Sequence, residues 1–221
     1  MHNDLSGFSS DDPPPRGKQW FVTDKTISAG SAHAGFPMMF WNYDLASLDK
    51  PFYWGVLHEL GHNYQQWNFW SFAYGSESTV NLFSVHAKDV LGHNDDFGGH
   101  EGIKYRKAAE NVDNGMTFEK ADAWDKLVFL LEILRAFPKV GWEMIRVLNR
   151  RVRAMDDAEA EKLSKDRQAQ MDYVYKTLSE VVGQDLRGTY DRWGIKLSNE
   201  ALEHVAKLNL RKAPADLSVR N

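Results

Sequence analysis

The stretch WGVLHELGHNY occupies positions 54–64 and decides how the rest of the chain is interpreted. In a helix, His58 and His62 lie four residues apart and project from one face, so both imidazoles can reach one metal ion. Glu59 lies one position round, beside that ion, where a general base for a metal-bound water is required. The pattern therefore predicts a metal-dependent hydrolase that attacks a carbonyl carbon, in proteins usually the carbonyl of a peptide bond.

The residues around this motif favour a half-buried helix. Leu57 and Leu60 are apolar, and Gly61 indicates that another element packs closely against the helix. Histidine and glutamate side chains are costly to bury unless they are paired or coordinated, and a bound cation would remove that cost. The alternative is a surface helix that carries two solvated histidines.

A third ligand is expected, because catalytic zinc usually has three protein ligands and an open position for water. Metzincins require glycine at position 65 and histidine at position 68, and Gln65 and Asn68 exclude that class. In the thermolysin type a following helix supplies a glutamate, and Glu77 at the start of an apolar, helically spaced segment is the best candidate. Asn81 lies one turn later, where it can hydrogen-bond a ligand imidazole. Alternatively, Glu77 is an acidic first-turn residue that the helix dipole favours.

The other histidines fit the site less well. His86 is about half a turn out of phase with Glu77 and is expected to face away. His93 and His100 bracket a stretch rich in glycine and aspartate, and we expect solvated loop residues there, with cleft lining as the alternative. The candidates for a hydrogen-bond donor to the transition-state oxyanion, which the sequence does not rank, are Tyr74, His93, His100, Tyr105 and Tyr190.

Composition limits the protein class. The chain has 221 residues, is 43% hydrophobic and carries a net charge of −4, which fits one globular domain with at most a small subdomain. Its basic residues are dispersed, so nucleic-acid binding is not expected. No apolar run has the length of a membrane span, and no secretory signal precedes the first strand. The lack of cysteine excludes disulfides and cysteine-based sites, but it leaves the compartment open.

The order of strand-like and helix-like hydrophobic patterns along the chain predicts an α+β fold that is mostly α. Residues 1–17, which contain three consecutive prolines, read as an extended polar leader or linker. A zincin-like catalytic domain is expected over 18–210, followed by a tail at 211–221. Its strand-bearing part, 18–70, has strands near 18–25 and 37–43 and the motif helix near 53–67. Its helical part, 71–210, is expected to have helices near 77–91, 101–112, 119–136, 139–155, 158–181, 184–193 and 198–207.

The chain also resembles the enhancin-like zinc metallopeptidases, gluzincins that include viral enhancins and bacterial mucin-targeting proteases. The resemblance is carried by the long motif at 54–65 and the segment 77–84, with weaker matches at 21–24, 27–30, 33–37, 185–186 and 193–194. It implies zinc held by His58, His62 and Glu77, with Glu59 as the base. It also implies glycoprotein substrates, often mucins, and a secreted or cell-surface setting.

The segment HAGFP at 33–37 leads into the second predicted strand. If Met38–Trp41 is an edge strand above the metal, its backbone can pair with an extended substrate, and His33, Gly35 and Phe36 then flank the cleft. An ordinary tight turn that enters a buried strand is the alternative. Two other functions also remain open: a zincin-related module that binds glycoprotein without cutting it, and another zinc hydrolase such as an aminopeptidase.

Overall fold

A computed structural model describes residues 1–14, 18–27, 30–41, 53–93 and 103–218. Its N-terminal half contains a small sheet of three strands: β1 (Phe21–Asp24), β2 (Ala32–His33) and β3 (Met38–Trp41). The strand order is β1-β3-β2, with β1 parallel and β2 antiparallel to β3. Both predicted strands are present, although residues 42 and 43 of the second lie outside the described residues.

The position of Met38–Trp41 in this sheet corrects one expectation. β3 is flanked on both sides, which fits the complete burial of Met38 and Phe40, so it is not an edge strand. The strand that approaches the motif helix is β2, whose small residue Ala32 and half-buried His33 suit an edge. Of the two edge strands, β1 and β2, the one that could pair with an extended substrate next to the motif helix is therefore β2.

The helices follow in the expected order, and the α+β, mostly helical fold class is confirmed. Their bounds are α1 (His2–Leu5), α2 (Trp54–His62), α3 (Trp70–Tyr74), α4 (Ser76–Leu91), α5 (Ile103–Asp113), α6 (Ala123–Ala136), α7 (Glu143–Arg153), α8 (Asp157–Lys165), α9 (Arg167–Val182), α10 (Arg187–Arg192) and α11 (Asn199–Lys207). Two short strands, β4 (Gln184–Asp185) and β5 (Arg211–Lys212), pair in parallel.

The motif helix α2 is shorter than the predicted 53–67, since the chain turns directly after His62. Between the motif helix and the expected helix 77–91, where no helix was predicted, the chain forms α3, because Trp70 and Tyr74 are buried against α9. Gly75 then separates α3 from α4 with a φ of 87°, a left-handed value that glycine adopts without strain. This turn places the first residues of α4 beside the end of α2.

Capping side chains explain most of the other differences. The predicted helix 158–181 is two helices, because the Asp166 carboxylate accepts hydrogen bonds from the backbone N–H groups of Gln168 and Ala169 and starts α9. Asp122 does the same for Trp124 and Asp125, so α6 begins at residue 123 instead of 119. The predicted helix 184–193 begins as β4, whose partner β5 lies in the expected tail.

The N-terminal residues also differ from the expected extended leader. Helix α1 packs against α4 and α7. His2 is buried and its Nε2–H donates to the carbonyl oxygen of Leu57 at 3.0 Å, while Leu5 is buried in the core. Arg146 binds the Asp4 carboxylate at 2.6 Å. A buried histidine, one apolar residue and an ion pair therefore hold this short segment in place, with His2 bonded to the motif helix.

The hydrophobic core lies in the helical part. One face of α6 is buried there and consists of Leu127, Leu130, Leu131 and Leu134. Aromatic rings pack around Phe129, which contacts Tyr190 and Trp193 edge to face. In the part of the chain that the structure describes, no helix combines the length and the apolarity needed to cross a bilayer.

Candidate metal centre

Two helices, α2 and α4, build the site by packing closely against each other. Their contact is narrowest at Gly61, where an added Cβ would lie 2.8 Å from Val80 Cγ2 and 3.1 Å from the Val80 carbonyl oxygen. The prediction that another element approaches Gly61 is therefore confirmed. This close approach brings the first turn of α4 alongside the two histidines of α2.

The three predicted ligand residues converge at this contact. His58 Nε2 lies 3.2 Å from Glu77 Oε2, and His62 Nε2 lies 3.5 Å from Glu77 Oε1. All three donor atoms lie within 4.8 Å of one another. The two imidazoles are nearly buried whereas the Glu77 carboxylate is 60% exposed, so the cluster opens to solvent on one side.

Asn81 fixes the ring of His58 from behind. Its Oδ1 lies 2.8 Å from His58 Nδ1, and its Nδ2 donates to the backbone oxygen of Glu77 at 2.7 Å. Since the Glu77 carbonyl can only accept, Oδ1 must face the ring, and His58 Nδ1 must carry the proton. The lone pair of His58 Nε2 is thereby directed at the cluster, and Asn81 makes the predicted contact with a candidate ligand imidazole.

The ring of His62 has two neighbours that were not predicted from the sequence. The Gln65 side-chain amide lies 2.8 Å from His62 Nδ1. The Trp67 ring stacks on the imidazole at 5.1 Å between centroids, and its Nε1–H donates to the His62 backbone oxygen at 2.9 Å. Burial lowers the pKa of His62 to about 4, so the ring is neutral at pH 7, which is the form that binds metals.

Glu59 lies beside the cluster. Burial is the main cause that raises the pKa of its carboxyl, with the Glu77 carboxylate acting in the same direction. The nearby His58 and a backbone hydrogen bond from Ala34, the residue after β2, oppose that rise. Glu59 thus lies between the candidate metal ligands and the edge of the sheet.

The loop after β2 is held by Asn63, the residue that ends the motif helix. The Gly35 backbone N–H donates to Asn63 Oδ1 at 3.0 Å, and Asn63 Nδ2 donates to the Gly35 oxygen at 3.0 Å. Phe36 is 44% exposed and packs against Trp20. A cavity of about 400 Å³ is lined by Phe8, Gln19, Gly35, Phe36, Asn63, Tyr64, Gln65 and Gln66.

The three residues predicted to flank the cleft, His33, Gly35 and Phe36, therefore do not all line the cavity. Gly35 and Phe36 line the cavity. His33 is half-buried in β2, where its Nδ1 lies 2.8 Å from the Ala34 oxygen. All three lie next to the motif helix or its end.

The other candidates are distant or buried. His86 faces away from the cluster, as expected, and its Nε2 lies 3.3 Å from the Asp4 carboxylate. Tyr74 and Tyr190 are fully buried and hydrogen-bonded to each other at 3.1 Å, so they are excluded as oxyanion donors. His93 is exposed just beyond the end of α4, and His100 lies outside the described residues.

The donor set fits a metal. Two imidazole nitrogens and one carboxylate on one open face are the ligands of many catalytic zinc sites, which have three protein ligands. The His58, His62 and Glu77 group is therefore compatible with a metal site. The contact of Asn81 with His58 is of the kind that orients metal-binding histidines.

Comparison with known sequences gives a match over most of the chain. The family model described as peptidase M60, enhancin and enhancin-like, matches residues 1–194. Human TRPM8 channel-associated factor 2 is 28% identical over 206 residues, which cover 88% of this chain and 21% of that protein. A homologous factor from Xenopus laevis is 29% identical over 184 residues. The chain spans about a fifth of the length of these relatives.

Solved structures show the same fold. A conserved Bacillus anthracis protein of unknown function superposes with a TM-score of 0.83 at 24% identity, covering 99% of this chain and 46% of that one. The IMPa metallopeptidase of Pseudomonas aeruginosa gives 0.63 at 21% identity, covering 96% of this chain and 28% of that one. IMPa has also been solved with an O-glycopeptide and with the T-antigen.

Proposed function

Because the chain belongs to the peptidase M60 family of enhancin and enhancin-like proteins, we propose that it is a zinc-dependent endopeptidase that cleaves glycoproteins such as mucins. The observation that carries the proposal is the convergence of His58, His62 and Glu77, with Glu59 beside them. Three protein donors on an open face leave room for solvent and substrate, as a catalytic site requires.

In this proposal His58, His62 and Glu77 hold zinc. When bound, zinc supplies Lewis acidity, which polarises the scissile carbonyl and activates water. Glu59 accepts the proton of the attacking water and passes it to the leaving amine. Burial raises the pKa of Glu59, and a carboxyl with a raised pKa is a stronger base and can also return the proton.

The peptide is proposed to lie along the edge strand β2. Ala34 follows this strand and donates its backbone N–H to Glu59, so an extended chain beside β2 passes the proposed base. His33, Gly35 and Phe36 are then proposed substrate contacts. The glycoprotein assignment is supported by the relative IMPa, which has been solved with an O-glycopeptide. A secreted or cell-surface location fits such substrates.

The curated relatives favour a second candidate function. They are named as channel-associated factors, which suggests a module that binds a glycoprotein without cutting it. The presence of Glu59 together with all three donor residues favours the peptidase, because a pure binding module needs no base beside a metal site.

The test is incubation of the zinc-loaded protein with a mucin-type O-glycopeptide, with and without a chelator, followed by mass spectrometry. We expect internal cleavage that the chelator abolishes. Glu59→Gln should abolish cleavage while the zinc content stays at one equivalent, and Glu203→Gln on the exposed face of α11 serves as the matched control.

The products separate the candidates. Release of single N-terminal residues would indicate an aminopeptidase instead. Binding of the glycopeptide without cleavage by the zinc-loaded protein would establish the binding module.

A further inference from the structure

We propose that Gln65 is a positioning residue whose side-chain amide switches His62 between two tautomers, one of which can bind the metal. The inference rests on the proposed metal site. Gln65 is buried at the turn after the motif helix, and its side chain lies between His62 of α2 and Thr79 of α4. It therefore connects one candidate ligand to the helix that carries another, Glu77.

The three side chains form a chain of hydrogen bonds. Gln65 Nε2 lies 2.8 Å from His62 Nδ1, and the Thr79 hydroxyl lies 3.3 Å from Gln65 Oε1. The same hydroxyl lies 3.2 Å from the Gly75 carbonyl oxygen. Gln65 and Thr79 are both buried, so water does not compete freely for these contacts.

In this orientation the amide N–H donates to His62 Nδ1, and the proton of the ring must then be on Nε2. That proton points toward Glu77 Oε1, at 3.5 Å. A ring protonated on Nε2 has no lone pair there for a cation. This arrangement is therefore suited to a His62–Glu77 contact and not to a metal.

A half-turn of the Gln65 amide exchanges its oxygen and nitrogen with almost no change in shape. Oε1 then accepts from a proton on His62 Nδ1, Nε2 of Gln65 donates to the Thr79 oxygen, and the Thr79 hydroxyl donates to the Gly75 carbonyl. Every donor keeps an acceptor. His62 now presents a lone pair at Nε2, directed at the cluster. Thr79 allows both orientations of the Gln65 amide, because its hydroxyl can donate either to Gln65 Oε1 or to the Gly75 carbonyl oxygen.

His58 has no such freedom. The amide of Asn81 is locked by the backbone oxygen of Glu77, which can only accept from Nδ2. His58 thus always presents its Nε2 lone pair to the metal site, whereas His62 does so only after the Gln65 amide has flipped. Binding at His62 is coupled to the flip of Gln65.

The tautomers can be read directly by NMR of the ¹⁵N-histidine-labelled full chain, with and without zinc. In the metal-free protein we expect the proton on Nδ1 in His58 but on Nε2 in His62, and zinc should move the His62 proton to Nδ1. An ionised Gln65→Glu side chain can only accept, so this variant should hold the His62 proton on Nδ1 without zinc. A metal-free wild-type protein that already has the His62 proton on Nδ1 would overturn the switch.

Zinc affinity, measured by competition with a chromophoric chelator, gives an independent readout. Gln65→Leu removes the contact and should weaken zinc binding by about 10–100-fold. Gln65→Glu should restore the affinity, which a merely structural role for the residue would not explain. Gln66→Leu, a neighbouring residue that lines the cavity, should leave it unchanged.

Equal zinc affinity in the wild-type protein and Gln65→Leu would refute the role of Gln65. Failure of the wild-type protein itself to bind zinc would instead refute the proposed function. Neither readout depends on peptidase activity.

Discussion

Gly61 meets Val80 so closely that a methyl group at position 61 would lie 2.8 Å from Val80 Cγ2. Gly61→Ala must therefore move α2 away from α4 and separate the histidines from Glu77. We expect a loss of about 1–3 kcal/mol of unfolding free energy, typical of overpacking, together with weaker zinc binding. Chemical denaturation and chelator competition measure the two effects.

Gly55→Ala is the matched control for that variant. It adds the same methyl group to the same helix, but the group meets only the Tyr53 ring, which can move. It should retain zinc affinity. Equal losses in the two variants would mean that the interhelical contact does not set the geometry of the site.

Zinc should stabilise the fold, because an ion that binds only the native state adds to the unfolding free energy by mass action. At a free concentration of a hundred times the dissociation constant, the gain is about 2.7 kcal/mol. Glu77→Ala should abolish the gain with little effect on the metal-free protein, since the Glu77 side chain is 60% exposed. Thermal melting with and without zinc provides the measurement, and an undiminished gain in Glu77→Ala would remove Glu77 from the ligand set.

Asn81→Leu should weaken zinc binding by about 10–100-fold, because His58 loses the acceptor that fixes its proton on Nδ1. Asn81→Asp keeps an acceptor but loses the donor to the Glu77 oxygen, and we expect a smaller effect. Competition with a chelator ranks the zinc affinities of the wild-type protein, Asn81→Asp and Asn81→Leu. If Asn81→Asp were as weak as Asn81→Leu, the contact with the Glu77 oxygen would be the one that matters.

Asn63→Ala should affect the proposed substrate site and not the metal. Both atoms of its amide bind the backbone of Gly35, and losing these two bonds should release the loop after β2 at a cost of about 1 kcal/mol each. We expect a higher KM for glycopeptide with unchanged zinc content. An unaltered KM would argue that this loop does not contact substrate.

Acid should destabilise the metal-free protein through buried histidines. Burial lowers the pKa of His2 to about 4 and that of His86 to about 4, the latter despite the nearby Asp4 carboxylate. Below their usual pKa of 6.5 the unfolded chain takes up protons that the folded protein does not. The unfolding free energy should therefore fall as the pH drops from 6.5 to 4 and stay level above that window.

His2→Gln keeps a donor for the Leu57 oxygen but does not titrate, so its fall in stability over the same pH window should be smaller. Urea denaturation at several pH values gives the curves. A curve parallel to that of the wild-type protein would show that His2 does not contribute.

The sequence could predict much of the candidate site because its main parts are local. His58 and His62 follow helical spacing, Gly61 signals a close neighbour, and Glu77 begins the next long helix. The fold class followed from the same periodicity. The capping residues Asp122 and Asp166 are visible in the sequence, but the predicted helices 119–136 and 158–181 did not take them into account. Gln65 lies three residues after His62, a spacing that could have indicated a contact with its ring.

The remaining features depend on contacts between distant parts of the chain. The hydrogen bond from Ala34 to Glu59 requires β2 to approach α2, and no local pattern specifies that β2, and not β3, forms this edge. The docking of α1 was hidden by the polar residues around it, since only His2 and Leu5 of this helix are buried. Such pairings are decided by the burial of whole surfaces.

The docking of α1 has a practical consequence for anyone who trims this protein. A shortened version starting at residue 18 would match the domain boundary that composition alone suggests. It would also remove His2, which stacks on the Phe83 ring, and so expose that ring. The backbone oxygen of Leu57, one residue before His58, would lose its hydrogen-bond donor. Losing α1 in this way should thus harm a histidine motif more than fifty positions away.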